Sequence, residues 1–323
     1  MYDAVALGEL LVDFTYTGTN EDGYPIMSAH PGGAPANYLA AMSSFGAATA
    51  FIGKVGADSL GSMLKRTLEM RGIDTKNVIE DECEFTTLAF VTLDNTGNRM
   101  FSFSRKPGAD TRLHPSELNT NVLNDAKVFH FGSLSLTDQP ARNATCTAVT
   151  IAKNAKSLIS FDPNLRKPLW RNLNEAKEQM LWGLSQADII KISDEEAEFL
   201  FGISDETAIE HIFSSFDAKL VMLTCGEKGC FISNRRHLRR LATLGGGRII
   251  DTTGAGDIFG GSAMFKILDQ ENDPSELSAA QLLDIAMFAT AAAGISATRR
   301  GGISSVPCMK EVLSSMHNVP VLI

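Results

Sequence analysis

The order of apolar segments constrains this chain most. Ala4 to Phe14 opens as an apolar strand, and Pro31-Gly32-Gly33-Ala34-Pro35-Ala36-Asn37 leads into a helix ended by Gly46. Ala48 to Val55 is the next strand, and Leu60 to Met70 the next helix, stopped by Gly72. Strands joined through helices in β-α-β-α order pair in parallel, with the helices on the sheet faces. The order resumes later, with strands at Val128 to Leu136, Leu158 to Phe161, Ile189 to Ile192 and Leu220 to Thr224. Between them Gln139 to Lys156 reads as a helix, and Cys230 to Ser233 as a second hairpin strand. Leu277 to Ala297 is helical and rich in Ala and Gly, hence closely packed. A chain of 323 residues suits one large α/β domain, or one with a small appendage.

Residues 86 to 105 break the pattern. Leu88 to Leu93 and Met100 to Ser104 read as strands joined through Asp94-Asn95-Thr96-Gly97-Asn98, a hairpin signal inside an α/β chain. With residues 13 to 31 they are expected to form a small separate sheet, and such a sheet beside a cleft reads as a lid. Arg105, just after the second strand, is placed to reach into that cleft.

Charge and composition exclude several classes. The formal charge of -9 argues against a general nucleic-acid binder, and the one dense basic run, Arg235 to Arg240, reads as a solvated hairpin end. Five scattered cysteines without C-x-x-C spacing point to reduced thiols rather than a zinc site. No secretory pattern opens the sequence, and the most apolar run, Ala286 to Ala297, reads as a buried helix, so a cytoplasmic protein off the membrane is expected.

Asp251-Thr252-Thr253-Gly254-Ala255-Gly256-Asp257 carries the chemistry. It follows a short apolar strand, Arg248 to Ile250, and precedes a helix from Ile258 to Leu268. Small residues at a helix start leave backbone N–H groups facing outward, an arrangement that attracts phosphate. A carboxylate at that spot repels an anion unless it has a task, such as taking a proton from an attacking hydroxyl. An anion hole with an adjacent base is what phosphoryl transfer to an alcohol needs. The plainer reading is a tight turn with Asp257 favouring the helix dipole.

Other stretches lean the same way. Asp13 is a carboxylate in an apolar strand, costly unless paired or facing a ligand, with an edge-strand acid as its bland alternative. Gly32 and Gly33 allow close approach of a ligand to the backbone, and Asn37 offers a donor and an acceptor to a sugar hydroxyl. Asp162-Pro163-Asn164-Leu165-Arg166 follows a strand at the edge where α/β proteins hold ligands. Ser193-Asp194-Glu195-Glu196 sets three acids at a helix start; dipole stabilisation accounts for Asp194 and Glu195, and metal contact suits Glu196 best.

Two separated motifs, Pro31 to Asn37 and Asp251 to Gly261, make the whole chain resemble the ribokinase-like, or PfkB, family of carbohydrate kinases. The resemblance implies a doubly wound, mostly parallel α/β domain covering residues 1–323, with helices on both faces. It implies a small β-sheet lid at about residues 13–31 and 86–106. It also implies transfer of the ATP γ-phosphoryl group to a sugar, with magnesium. The family's base matches Asp257, and its anion hole the N–H groups of Gly254, Ala255 and Gly256. Its sugar contacts match Asp13, Gly33 and Asn37, joined by Gly32, Arg105 and Arg166. Its nucleotide side matches Lys191, Thr224 and Gly226, with Gly254 and Gly256. A monovalent cation such as potassium is expected beside Asp251, Thr253, Gly301 and Ser305. The family's Asn-x-x-Glu stands here as Ser193 to Glu196, so the magnesium role rests on Glu196 alone. The lid offers either a homodimer interface or a cap on a monomer.

Among relatives, Gly32 to Asn37, Phe129 to Ser135, Asp162 to Arg166 with Leu169-Trp170, and Lys191 to Glu196 resemble fructokinases more than ribokinases. Ribokinases tend to carry an acidic sugar contact near positions 132 and 133, where this chain has Gly and Ser. Phosphorylation of fructose at its primary hydroxyl is therefore expected. The alternatives are a 2-keto-3-deoxygluconate kinase, with Arg105 and Arg166 as carboxylate ligands, and a silent sugar-binding regulator on the same fold. A Walker P-loop and a Rossmann Gly-x-Gly-x-x-Gly after the first strand are both lacking.

Overall fold

A computed structural model describes residues 1–93, 99–245 and 247–322; the expected hairpin turn at 94–98 lies outside the described residues. The strands, in chain order, are β1 (Tyr2–Leu7), β2 (Leu11–Thr19), β3 (Pro25–Gly32), β4 (Thr49–Gly56), β5 (Ile73–Asp81), β6 (Leu88–Leu93) and β7 (Arg99–Ser104). They continue as β8 (Ala126–Gly132), β9 (Leu158–Asp162), β10 (Ile189–Ser193), β11 (Leu220–Thr224), β12 (Cys230–Ser233), β13 (Leu238–Leu241) and β14 (Val321–Leu322). Among the described residues they form a ten-stranded sheet, β14-β13-β12-β11-β10-β9-β8-β1-β4-β5, and a four-stranded sheet, β3-β2-β6-β7.

From β5 to β11 the large sheet is parallel, and β12 to β14 close it antiparallel. Helices α1 (Ala34–Ser44) and α2 (Ser59–Met70) cover one face. The chain then crosses over, and α3 (Thr120–Asn124), α4 (Ala141–Asn154), α5 (Leu173–Gln186), α6 (Asp194–Phe201) and α7 (Thr207–Ser215) cover the other. It returns to the first face with α8 (Ala255–Asp269), α9 (Ala279–Ala297) and α10 (Met309–Ser315). The two-residue alternation of a strand divides the core accordingly: Ala4 and Ala6 pack into one layer, Val5 and Leu7 into the other. This is the expected doubly wound architecture.

β1 pairs with β4 on one side and β8 on the other, and the chain winds away from this pair in opposite directions. Where winding reverses, the crossovers part and leave a crevice at the carboxyl ends of the strands.

The small sheet is built from the two segments expected to form it, with β2 antiparallel to β3 and parallel to β6, and β6 antiparallel to β7. Two sequence expectations are corrected, and one strand went unread. The apolar run from Ala4 to Phe14 is not one strand: Gly8, Glu9 and Leu10 carry the chain from the large sheet into the small one. Every residue from Ala4 to Val12 is buried, so burial alone does not mark the change of sheet; the one polar side chain of the run, Glu9, stands at the junction. Arg248 to Ile250 is not a strand. The N–H groups of Ile250 and Asp251 both donate to Ala297 O at the end of α9, at 2.8 and 3.1 Å, so β-branched propensity there met no partner strand. β5 escaped the sequence reading because Thr75 and Asn77 occupy buried positions within it.

α9 is 19 residues long with a mean hydropathy of 1.4, enough by length and composition to cross a bilayer. Here Leu282, Ile285, Ala286 and Phe288 are fully buried in the core. The basic run disperses into local contacts: Arg236 forks onto Glu276, Arg235 lies over Phe213 and Arg240 over Phe231.

Candidate active site

α8 begins where the Asp251 to Asp257 turn ends. Gly254 adopts φ 75°, and a Cβ there would lie 2.9 Å from Asn37 Nδ2 and 3.0 Å from Gly302 Cα, so only glycine suits the turn. Further along α8, Gly260 and Gly261 lie against Tyr38 of α1, and a Cβ on Gly261 would stand 2.2 Å from Tyr38 O. This close approach of the two helices lets Asn37 Nδ2 donate to Asp257 Oδ2 at 2.8 Å. Desolvation raises the Asp257 carboxyl above the usual carboxylate range, against the pull of Lys191, Asn37 and Arg166. A base with a raised pKa is better matched to proton transfer near neutrality.

Lys191 on β10 stands behind this helix start. Its ammonium pairs with Asp162 Oδ2 at 2.9 Å and lies 3.0 Å from where a Gly256 Cβ would be. Burial opposes its charge, but Asp162, Glu196 and Asp257 outweigh that and hold its pKa above the ordinary lysine value. A fixed positive charge thus reinforces the positive end of α8. The anion hole needs one correction: the Ala255 N–H donates to Thr252 O at 3.2 Å within the turn. Gly254 and Gly256 remain as the candidate donors.

A cavity of about 720 Å³ opens over these groups. From the N-terminal half, Glu9, Asp13, Gly33 and Asn37 line it; from the C-terminal half, Thr253, Gly254 and Asp257 do; Arg166 and Glu196 close it between them. Asp13, half-buried on β2, is pushed up to about 7, chiefly by burial and further by Asp251 and Asp257, against the pull of Arg166. Gly32 does not line the cavity; it makes room, since its Cβ would lie 2.4 Å from Asp13 Oδ2.

Glu196 keeps a structural task. Its Oε1 accepts from the Leu165 N–H at 2.8 Å, and its Oε2 from the Ser193 N–H at 2.9 Å, closing a capping box with Ser193. Serine caps a helix as well as asparagine, so the departure from Asn-x-x-Glu leaves the start of α6 intact. Each Glu196 oxygen retains a second lone pair, and Glu196 lines the cavity, which fits a metal held directly or through water. The proposed cation residues converge on one carboxylate: Asp251 accepts from the Thr253 N–H at 2.9 Å and the Gly301 N–H at 3.0 Å, while Ser305 bonds Gly302 O one residue further on. Thr224 and Gly226 sit at the carboxyl end of β11, outside the cavity lining but beside Ser193, which Thr224 faces across the β10–β11 pair.

Arg105 is not in the cavity. It is 4 % exposed, and its guanidinium donates to Asp110 Oδ2 at 2.7 Å, Thr137 Oγ1 at 2.8 Å and Leu134 O at 2.9 Å. A guanidinium with three protein acceptors is a structural clasp, which removes it as a free carboxylate ligand. The sequence reading also missed Glu9. Its Oε1 caps α1 at the Ala34 N–H, 2.8 Å away, a task the side-chain-free Gly33 cannot perform. Burial raises the Glu9 carboxyl to about 7. The signal that exposed Asp13, an acid within an apolar run, was present at Glu9 as well.

Comparison with known proteins agrees with this geometry. The family model for pfkB family carbohydrate kinases matches residues 1–309. Fructokinase-2 of Solanum lycopersicum is 41 % identical over 318 residues, covering 96 % of this chain and 94 % of the relative. The crystal structure of a fructokinase with bound ATP from Xylella fastidiosa superposes with a TM-score of 0.89 at 29 % identity, covering 98 % of this chain and 99 % of that one. A fructokinase double mutant from Vibrio cholerae, in its fructose, ADP and potassium ion bound form, gives 0.87 at 28 % identity, covering 98 % of each chain. With its Gly254 turn, its Asn37–Asp257 pair and its doubly wound sheet, the chain belongs to the pfkB family of carbohydrate kinases.

Proposed function

We propose that the chain is a fructokinase, transferring the γ-phosphoryl group of ATP to the primary hydroxyl of fructose. The observation that carries the reading is the Asp257 carboxylate, held by Asn37 at the head of an anion-attracting helix and facing a cavity bordered by Asp13 and Gly33. The similarity to curated fructokinases along almost the whole chain supports fructose as the acceptor.

Asp13, Gly33 and Asn37 hold the sugar. Asp257 takes the hydroxyl proton as the oxygen attacks phosphorus and the bond to ADP breaks. The N–H groups of Gly254 and Gly256, with the Lys191 charge behind them, stabilise the negative charge of the transferring group. Lys191, Thr224 and Gly226 serve the nucleotide side. Glu196 fits a magnesium ion, which when bound neutralises phosphate charge. Asp251, Thr253, Gly301 and Ser305 fit a monovalent cation. The small sheet acts as a lid that shuts water out. This chemistry belongs in the cytoplasm, where ATP and reduced thiols are at hand.

ADP release measured with ATP and magnesium against fructose, 2-keto-3-deoxygluconate, ribose, glucose and no sugar tests the reading. Preference for fructose is expected. Preference for the keto acid overturns the substrate and leaves Arg166 as the carboxylate partner, since Arg105 is already engaged. Sugar binding without release overturns the enzyme reading altogether.

A further inference from the structure

A second cavity, of about 430 Å³, is lined by residues that follow directly on some of those lining the first. The two share walls. Arg166, Lys167 and Pro168 line the main cavity, and the next three residues, Leu169, Trp170 and Arg171, line the second. On the other side Phe103 lines the main cavity and Arg105 the second. Arg105 also clasps the partition, because its guanidinium donates to Leu134 O and Leu134 lines the main cavity.

The second cavity is electropositive in a chain of net charge -9. Four cationic side chains, Arg105, Lys106, Arg112 and Arg171, border it against one carboxylate, Asp138. Arg105 is neutralised by Asp110, but the other three are weakly engaged. Arg112 reaches Glu84 only at 4.0 Å, and Arg171 reaches Asp138 at 3.8 Å, both at the limit of ion pairing. Lys106 has no hydrogen bond or ion pair among the described residues. The wall adds an unmet donor: Trp170 is 7 % exposed, and its indole N–H has no acceptor among the described residues. Clustered cations bordering a cavity and a buried indole N–H without an acceptor suit a small, multiply charged oxyanion.

We propose that this cavity is a second anion site that takes a phosphomonoester or inorganic phosphate, and that its occupant fixes the shared turn at 167–169 and thereby alters affinity for the sugar. Filling it draws Lys106, which follows the small sheet, toward Arg171 on the large domain. That contact bears on Arg166, which faces Asp13 electrostatically across the main cavity. The coupling to sugar affinity rests on the kinase reading above; the anion site does not.

Intrinsic fluorescence tests the site without turnover. The chain has two tryptophans, so Trp182→Phe leaves Trp170 as the reporter. Titration of that variant with inorganic phosphate, and separately with fructose 6-phosphate, is expected to give a saturable signal that potassium chloride at equal ionic strength does not. Adding Lys106→Ala and Arg171→Ala should weaken it roughly tenfold, the loss expected for a charge-assisted contact. Saturation by phosphate and ester alike identifies the bare anion as ligand; saturation by the ester alone identifies a sugar phosphate. A flat titration, or a signal that survives the double substitution, overturns the site, the latter by locating binding in the main cavity. With wild-type enzyme, phosphate should shift the sugar KM, and in the Lys106→Ala/Arg171→Ala variant it should not, with kcat and KM unchanged when phosphate is absent. Binding with no shift in KM overturns the coupling.

Discussion

Arg105 and Asp257 are both charged, both sit near the carboxyl edge of the sheet, and serve opposite ends. Each Arg105 nitrogen has a protein acceptor. Asp257 has one donor, Asn37 on Oδ2, and its other oxygen has none among the described residues while the side chain faces a cavity. A buried charge whose valences are filled by the protein holds structure together. One that keeps spare capacity toward a cavity, in surroundings that raise its pKa, is equipped for chemistry.

Substitutions can break this contrast. Asp257→Asn keeps the shape and removes the proposed base, and should lower kcat by about 10²–10⁴-fold with little change in sugar affinity. Near-normal kcat would place Asp257 with the structural charges. Arg105→Ala strands Asp110 in the interior and should reduce unfolding free energy by about 3–5 kcal/mol, read by urea denaturation. A fully stable variant with only a raised sugar KM would move Arg105 into the site. Asp13→Ala should raise the sugar KM by roughly tenfold, the worth of one charged hydrogen bond, and spare the ATP KM. An equal rise in both would deny it a sugar contact.

The smallest effect concerns pH. Asp13 is raised from its ordinary 3.8 to about 7, so the folded state holds its proton more tightly than the unfolded chain. Its contribution to stability is full below 3.8 and is lost as pH rises through 7. Asp13→Asn should therefore raise Tm at pH 8 more than at pH 4. A Tm difference independent of pH would mean that the carboxylate is not strained by its burial. The Asp257 carboxyl is also raised, and kcat should fall on the acid side because the protonated form cannot act as base.

The parallel core and the two turns that border the main cavity were legible in the sequence, because both depend on local signals. Apolar strands alternated with capped helices, and glycines stood where φ or close contact demands them, as at Gly254. Reading failed where identity depends on a distant partner. Nothing near Arg105 announces Thr137 and Leu134, and in the run from Ala4 to Val12 uniform burial hides where one sheet yields to the next, although Gly8 and Glu9 stand at that point. Glu9 shows the same dependence, since its task is visible only once Ala34 is brought beside it.

Gly261 carries no side chain toward the cavity, yet it acts as a spacer for the Asn37–Asp257 pair that does. With a Cβ just 2.2 Å from Tyr38 O, even one added methyl must drive α1 and α8 apart, and the same helix pair carries Asn37, next to Tyr38 on α1, and Asp257, four residues before Gly261 on α8. The reach of the Asp257 carboxylate is thus gauged by a close helix contact. A silent position more than a turn away becomes a dial on the alignment of the reacting groups, able to detune transfer while leaving every polar side chain in place.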